Sequence, residues 1–241
     1  MCHLDAVRVA ELFAPIVYLV TIAVHRASRE QGREMLTQFG LTGAGSLIGL
    51  RLALQTRSGP LDQASAVARY MGDADFRAEL SGQAERGMLV LFETAVDSTY
   101  LGRELYREMF ALHDRTASAL WEWRASGLPR LADLAGRMVA AGLADPGPAF
   151  AATAPPYEPA DATPALLLFN RLTSLRQHRA DAHAAAWAEA GLTVEQIQAL
   201  TAGPLREETE ARTNELAASP YAALNEPERL DFLAGLGALP G

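Results

Sequence analysis

Apolar residues recur at helical spacing along most of the chain. The first such stretch, residues 7–38, is apolar nearly all round in its first half and carries alternating charges in its second half. A helix of this kind is typical of a dimer interface or of a protein core, and the pattern leaves both open. Its longest apolar run, residues 12–24, falls short of the roughly 20 residues that a membrane-spanning helix needs, so we predict no membrane span and no signal peptide.

Five further helices are predicted before residue 145 from capping residues, glycine stops and i, i+4 spacing. They cover residues 40–54, 62–71, 73–87, 100–125 and 131–141, and Asp62 is expected to cap the second of them. Residues 88–94 predict a strand, and a turn is expected at Asp97 and Ser98. A helix, a turn, a helix and a two-stranded hairpin within residues 61–100 follow the order of a winged helix-turn-helix unit.

The C-terminal part of the chain is predicted to be all helical. Six of the 13 prolines lie between residues 145 and 164, which indicates a linker or a wrapping arm. Thr163 and Pro164 are expected to begin a long helix through about Glu189, and capping boxes at residues 193–196 and 225–228 begin two more helices.

The predicted fold class is mainly α, with a winged helix-turn-helix and a small β-hairpin wing, plus an all-helical C-terminal half. We predict a winged-helix domain with an N-terminal dimerisation helix at residues 1–143 and a Pro-rich linker at 144–163. A helical C-terminal domain follows at 164–241.

Three segments resemble the MarR-type bacterial regulators. They are Gly59-Pro60-Leu61-Asp62-Gln63-Ala64, Ala84-Glu85-Arg86-Gly87-Met88-Leu89 and Tyr100-Leu101-Gly102-Arg103-Glu104-Leu105. The resemblance covers about residues 36–125. It implies a dimer formed by helices from both chain ends, a cleft for phenolic or other small ligands, and a recognition helix that enters the major groove of DNA.

The resemblance places the recognition helix at about residues 75–86. It implies that Arg77 and Arg86 contact phosphates or guanine, and that Ser81 and Gln83 reach base edges. The family's wing usually carries an arginine for the minor groove, whereas this chain has only acidic charges between Arg86 and Arg103. A winged helix that serves dimerisation or ligand binding is the alternative.

A second constellation lies in the long C-terminal helix. His178-Arg179-Ala180-Asp181-Ala182-His183, followed by Trp187, resembles an actinobacterial group of helix-turn-helix-annotated proteins of poorly defined activity, some encoded near natural-product genes. The resemblance covers about residues 164–241 and implies a lineage more than a reaction.

The spacing within this constellation argues against a metal site. His178 and His183 are five residues apart, which puts their rings on different faces of a helix, so we predict no metal. His178 with Asp181 forms one ridge, and Arg179 with His183 and Trp187 forms another. If the chain is an enzyme, His178, Asp181 and His183 are the candidates for acid–base catalysis. The alternative is a polar interior network that ties this helix to the N-terminal half.

His113, Trp121 and Trp123 are candidates for an aromatic ligand pocket, although a helix-packing cluster is the more usual explanation. The predicted ligand-binding set consists of these three residues together with His178, Arg179, His183 and Trp187. The expected ligand is apolar and aromatic or polyketide-like, bound between the two halves.

Composition narrows the function further. All 21 basic residues are arginines, which is typical of a GC-rich bacterial genome, and the net charge of −8 argues against broad nucleic-acid binding. The single cysteine, Cys2, excludes an internal disulfide and favours a cytoplasmic location. There is no phosphate-binding glycine loop and no nucleophile elbow, so no cofactor is predicted.

The sequence therefore predicts a MarR-like, small-molecule-responsive transcription regulator that binds promoter DNA as a homodimer. The alternative is a natural-product biosynthetic enzyme or ligand-binding protein on a winged-helix scaffold that does not bind DNA. The sequence motifs leave open whether the protein is an enzyme, and they favour the prediction that it is not.

Overall fold

The computed structural model describes residues 4–240, so Cys2 and His3 lie outside the described residues. Helices hold 71% of the residues and strands 4%, which confirms a mainly α fold. The helices in this part of the chain are α1 (Ala6–Ala27), α2 (Arg29–Gln38), α3 (Leu47–Leu54), α4 (Leu61–Val67), α5 (Asp73–Glu85), α6 (Tyr100–Leu120), α7 (Leu128–Gly142), α8 (Pro148–Ala151), α9 (Pro164–Glu189), α10 (Val194–Ala199), α11 (Pro204–Leu216) and α12 (Glu226–Gly237). Two 3₁₀ segments, Glu122–Gly127 and Ser219–Ala223, connect helices.

One face of helix α1 lies in the protein core. It is long and apolar enough to cross a membrane, with a mean hydropathy of 1.9, but its inner face is buried within the protein. Phe13 is fully buried, and its ring lies 5.3 Å from Tyr221 and 5.9 Å from Phe232, ring centroid to centroid. Tyr18 and Leu19 remain exposed on its outer face. The inner face of the N-terminal helix is thus covered by elements from the other end of the chain.

The predicted helix over residues 7–38 is wrong in one respect, because the chain forms two helices that meet at Ser28. The Ser28 hydroxyl donates a hydrogen bond to the carbonyl of His25. Its backbone angles, φ −88° and ψ 1°, depart from helical values at that point. A serine that bonds its own preceding turn is a common way to bend or break a helix.

A small antiparallel sheet follows α5. Its strands are β1 (Gly59–Pro60), β2 (Leu89–Leu91) and β3 (Ala95–Ser98), in the order β1-β3-β2. Asp97 and Ser98 therefore lie in a strand, and the expected turn there is wrong. The hairpin reverses earlier, where Phe92 donates a backbone hydrogen bond to Ala95 at 2.8 Å.

The expected cap of α4 is also wrong. The N-cap is Pro60, and the Asp62 carboxylate accepts instead from the backbone of the next residue, Gln63. Leu61 donates its backbone hydrogen bond to Thr94 in the hairpin, so the sheet holds the start of this helix. Helix α4 ends at Val67 rather than at residue 71.

Helix α9 begins at Pro164 and ends at Glu189, as the sequence predicts, and both capping boxes form. The Pro-rich segment before it lies against the rest of the protein. The backbone N–H of Tyr157 donates to the carbonyl of Leu52 at 2.7 Å, and the hydroxyl of Ser174 donates to the carbonyl of Thr153 at 2.8 Å. One apolar core includes residues of α1, α3, α6, α7, α9 and α12.

Candidate functional site

The Asp181 carboxylate joins three elements. It accepts hydrogen bonds from the Arg69 guanidinium, from the backbone N–H of Ala149 at 3.1 Å and from that of Phe150 at 2.8 Å. Its side chain is 9% exposed and that of Arg69 13%, so this is a largely buried ion pair. Asp181 therefore ties α9 to the segment after α4 and to the start of α8.

His178 takes a different position from the one the predicted His178–Asp181 pair requires. Its ring packs edge-on against Phe150 at 5.3 Å, centroid to centroid. Burial lowers the pKa of His178, while the nearby Asp181 charge opposes that shift. The oxygens of Asp181 accept from Arg69 and from backbone N–H groups, and no hydrogen bond joins His178 to Asp181 among the described residues.

Arg179 and His183 lie together at a surface cleft between α1, α9 and α11, which we call the α1–α9 cleft. It has a volume of about 230 Å³, and its lining includes Tyr18, Arg176 and Glu210. Arg179 donates to Glu210 at 3.0 Å and to the side chain of Asn214 at 2.8 Å.

Arg176 differs from its neighbour in this cleft because no carboxylate within residues 4–240 pairs with it. It donates to the hydroxyl of Thr21 at 3.2 Å, and its Cζ lies 5.6 Å from the Tyr18 ring centroid. Burial lowers the pKa of Arg176. The lining of the cleft therefore includes two guanidinium groups and one carboxylate, that of Glu210.

His183 connects this cleft to the segment after α4. Its Nδ1 lies 2.9 Å from the hydroxyl of Tyr70, and its Nε2 lies 3.9 Å from Glu210. Burial lowers the pKa of His183, and the charge of Glu210 opposes that shift. Helix α9 and the α4–α5 connection are thus joined at Asp181 and at His183, two residues apart along the same helix.

A second buried cluster surrounds His113. The rings of His113, His25 and Phe169 pack together, with centroid distances of 5.1–5.3 Å. Beside them lies Arg51, which is 1% exposed, with its Cζ 5.6 Å from the Phe110 ring centroid and 5.7 Å from that of Phe169. We call these five residues the Arg51 cluster.

Both histidines of the Arg51 cluster are neutral at neutral pH. Burial, followed by the charges of Arg51 and Arg176, lowers the pKa of His25 to about 3. Burial and the Arg51 charge hold the pKa of His113 well below its usual value. Burial also lowers the pKa of Arg51 to about 10, so Arg51 keeps its charge at neutral pH.

The tryptophans do not form one aromatic pocket. Trp121 is fully buried at the end of α6, whereas Trp123 is 61% exposed and lies beneath the Arg124 guanidinium, 4.5 Å from its ring centroid. Trp187 is half-buried on α9. Of the predicted ligand-binding residues, the structure brings Arg179 and His183 to one cleft and places His113 in another cluster.

A larger cleft, which the sequence did not indicate, runs along α6. This α6 cleft has a volume of about 630 Å³ and is lined by Phe110, Tyr157 and Leu166, with Arg107 and Arg115 among its polar residues. The Phe110 and Tyr157 ring centroids lie 5.1 Å apart. Tyr157 belongs to the Pro-rich arm, and no local pattern in the sequence indicates that it meets α6.

The predicted DNA-contacting residues lie on α5 and just beyond it. Arg77, Ser81 and Arg86 are exposed, but Gln83 is 5% exposed and belongs to the buried face with Phe76. Gln83 therefore cannot reach a base edge in this arrangement, and its prediction is wrong. The exposed acidic residues of α5 and the hairpin outnumber these two arginines: they are Asp73, Asp75, Glu85 and Glu93.

Among residues 4–240, no group of three or more histidine, cysteine or acidic side chains is placed to hold a metal ion.

No family model, curated protein or solved structure matches this chain.

Proposed function

We propose that the chain is a ligand-responsive binding protein in which the α1–α9 cleft binds a small organic anion. The observation that carries this proposal is the convergence of Arg176, Arg179 and His183 on one cleft. They occupy positions i, i+3 and i+7 of α9, which is the spacing that aligns side chains on one face of a helix.

A phosphate monoester is the chemistry that fits this cleft best. Two guanidinium groups match a dianion, because each donates several N–H groups in a planar fork. The exposed ring of Tyr18 offers a surface for an aromatic substituent. A bound anion would compete with Glu210 for Arg179. The Glu210 carboxylate, released from Arg179, could then approach His183 Nε2, which lies 3.9 Å away.

The response follows from the bond between His183 and Tyr70. A change at His183 reaches the segment between α4 and α5 directly, because the Tyr70 hydroxyl contacts His183 at 2.9 Å. Helices α3, α4 and α5 with the β2–β3 hairpin follow the order of a winged helix-turn-helix unit, and we propose that this unit is the element that responds.

The test is titration of the protein with phenyl phosphate by isothermal calorimetry. Arg179→Gln is expected to weaken binding about tenfold, which is the effect of one lost charge-assisted contact. Arg212→Gln is the matched control, since Arg212 lies on α11 in an exposed pair with Glu189. Equal binding by both variants, or no binding by the unmodified protein, would contradict the proposal.

A MarR-like regulator that binds promoter DNA as a homodimer is the second candidate. The exposed Arg77 and Ser81 on α5, with Arg86 just beyond its end, favour it, whereas the acidic residues around them oppose phosphate contact. A gel shift at low salt with the DNA upstream of the gene tests it. If the protein is a regulator, it is expected to form a protein–DNA complex that Arg77→Ala weakens. Analytical sedimentation is then expected to show that the protein is a dimer. A lack of any shift leaves the binding-protein proposal in place.

A further inference from the structure

Tyr70 combines an accessible hydroxyl with a histidine that can take its proton. The side chain belongs to the segment between α4 and α5 and is 43% exposed, so a molecule in solution can approach it. Its hydroxyl oxygen lies 2.9 Å from Nδ1 of His183. A hydroxyl within hydrogen-bond reach of a base is the arrangement that activates a nucleophile.

The surroundings of His183 keep its Nδ1 available as an acceptor. Burial lowers the pKa of His183, so the ring is neutral at neutral pH. The charge of Glu210 opposes that shift, whereas three nearby guanidinium groups add to it: Arg179, Arg206 and Arg69. The Glu210 carboxylate lies 3.9 Å from Nε2, and its negative charge favours the tautomer with the ring proton on that nitrogen. Nδ1 then presents its lone pair to the Tyr70 hydroxyl.

Trp187 supplies a donor on the same side. It follows His183 by four residues on α9, so the two side chains share one face of the helix. Its indole N–H is buried and has no hydrogen-bond partner. Burial raises the pKa of Tyr70, whereas the Arg69 charge and the nearby Trp187 side chain oppose that shift. Both groups therefore stabilise the negative charge that develops on the Tyr70 oxygen when it loses its proton.

We propose that Tyr70 is a nucleophile that accepts an acyl group from activated esters, with His183 as its general base. The Tyr70 oxygen attacks the carbonyl carbon and forms a new C–O bond, while the bond from that carbon to the leaving group breaks. The hydroxyl proton moves to Nδ1 of His183 and then to the leaving group. The products are O-acyl-Tyr70 and the free alcohol. A suitable donor has a leaving group more acidic than tyrosine, whose ordinary pKa is about 10.

The rest of the chain offers internal controls for this reaction. All 21 basic residues are arginines, so no lysine amine competes for the acyl group. Tyr18 and Tyr100 are 50% and 77% exposed, and among residues 4–240 neither hydroxyl forms a hydrogen bond with a histidine. Exposure alone would make them at least as reactive as Tyr70. A faster reaction at Tyr70 therefore reports the contribution of His183.

The experiment uses p-nitrophenyl acetate and locates the acetyl groups by mass spectrometry of peptides, which separates the tyrosines from Cys2 and the amino terminus. Tyr70 is expected to be acetylated about a hundredfold faster than Tyr18, which is at the lower end of the contribution of a positioned base. His183→Gln is expected to slow acetylation of Tyr70 to the rate of Tyr18. Tyr70→Phe is expected to remove the fast phase of nitrophenolate release.

Two results would overturn the assignment. One is acetylation of Tyr70 no faster than that of Tyr18 and Tyr100 in the unmodified protein, a comparison that needs no variant to fold. The other is a rate at Tyr70 that His183→Gln leaves unchanged. Arg176→Gln removes a residue of the α1–α9 cleft that does not contact Tyr70, and it is expected to keep the fast phase. This site and the anion site of the proposed function can therefore fail separately.

Discussion

Replacing Asp181 by asparagine tests whether this residue is structural. The substitution removes the negative charge and keeps one acceptor oxygen of nearly the same shape. In the structure the carboxylate serves Arg69 and the backbone N–H groups of Ala149 and Phe150. The Asp181→Asn variant therefore leaves the Arg69 guanidinium, which is 13% exposed, without its counter-charge.

The expected loss of unfolding free energy is about 3–5 kcal/mol, since removal of one partner from a largely buried ion pair leaves a buried charge uncompensated. The hydrogen bond from Arg69 to the carbonyl of Ala66 remains in the variant. Because that bond still partly satisfies the guanidinium, we expect a loss at the lower end of this range. Adding Arg69→Met to Asp181→Asn removes the stranded charge. The double variant is expected to recover about 1–3 kcal/mol relative to additivity.

Urea unfolding followed by circular dichroism measures these differences. Glu189→Gln is the matched control, because it breaks a pair with Arg212 in which both side chains are about half exposed. That control is expected to cost at most about 1 kcal/mol. If Asp181→Asn costs no more than Glu189→Gln, Asp181 does not hold the elements together as we argue.

Three further predictions follow from single contacts. Gly102→Ala is expected to destabilise the protein by about 1–3 kcal/mol in urea unfolding, because the added Cβ would lie 2.2 Å from the carbonyl oxygen of Met88; an unchanged midpoint contradicts the close approach. Burial lowers the folded-state pKa values of both His25 and His113 below the unfolded value of about 6.5, so the protein is expected to lose stability as the pH falls below that value. The contribution of His25, whose folded-state pKa is about 3, is expected to be lost by about 1.4 kcal/mol per pH unit between these two values. His25→Gln should make this acid slope shallower. Trp123→Ala is expected to change stability by less than about 0.5 kcal/mol in thermal unfolding, because the ring is 61% exposed; a larger loss would contradict this expectation.

Local sequence signals predicted the secondary structure well where capping and periodicity agree. The boxes at Thr193 and Asn225 form as expected, because both partners lie within one helical turn. The position of Gln83 could have been predicted too. It follows Phe76 and Leu80 at i+7 and i+3, so it shares their buried face.

The candidate sites depend on contacts that no local pattern contains. Asp181 meets Arg69 across 112 residues, and Tyr70 meets His183 across 113. Arg51 did leave a local signal, since it is a single charge within an otherwise apolar helix, Leu47–Leu54. That pattern indicates a buried charge, but it does not identify the histidines and aromatic rings around it.

The burial of the inner face of α1 has a consequence for synthesis on the ribosome. Phe13 is made early, whereas Tyr221 and Phe232, which cover it, are made near the end. Because synthesis proceeds at about 5–20 residues per second, the apolar face of α1 stays exposed for roughly tens of seconds before the residues that cover it are made. A nascent chain with such a long-lived apolar helix is a substrate for holding chaperones. Slower elongation over the last helices should therefore lower the soluble yield of this protein more than slower elongation at its start.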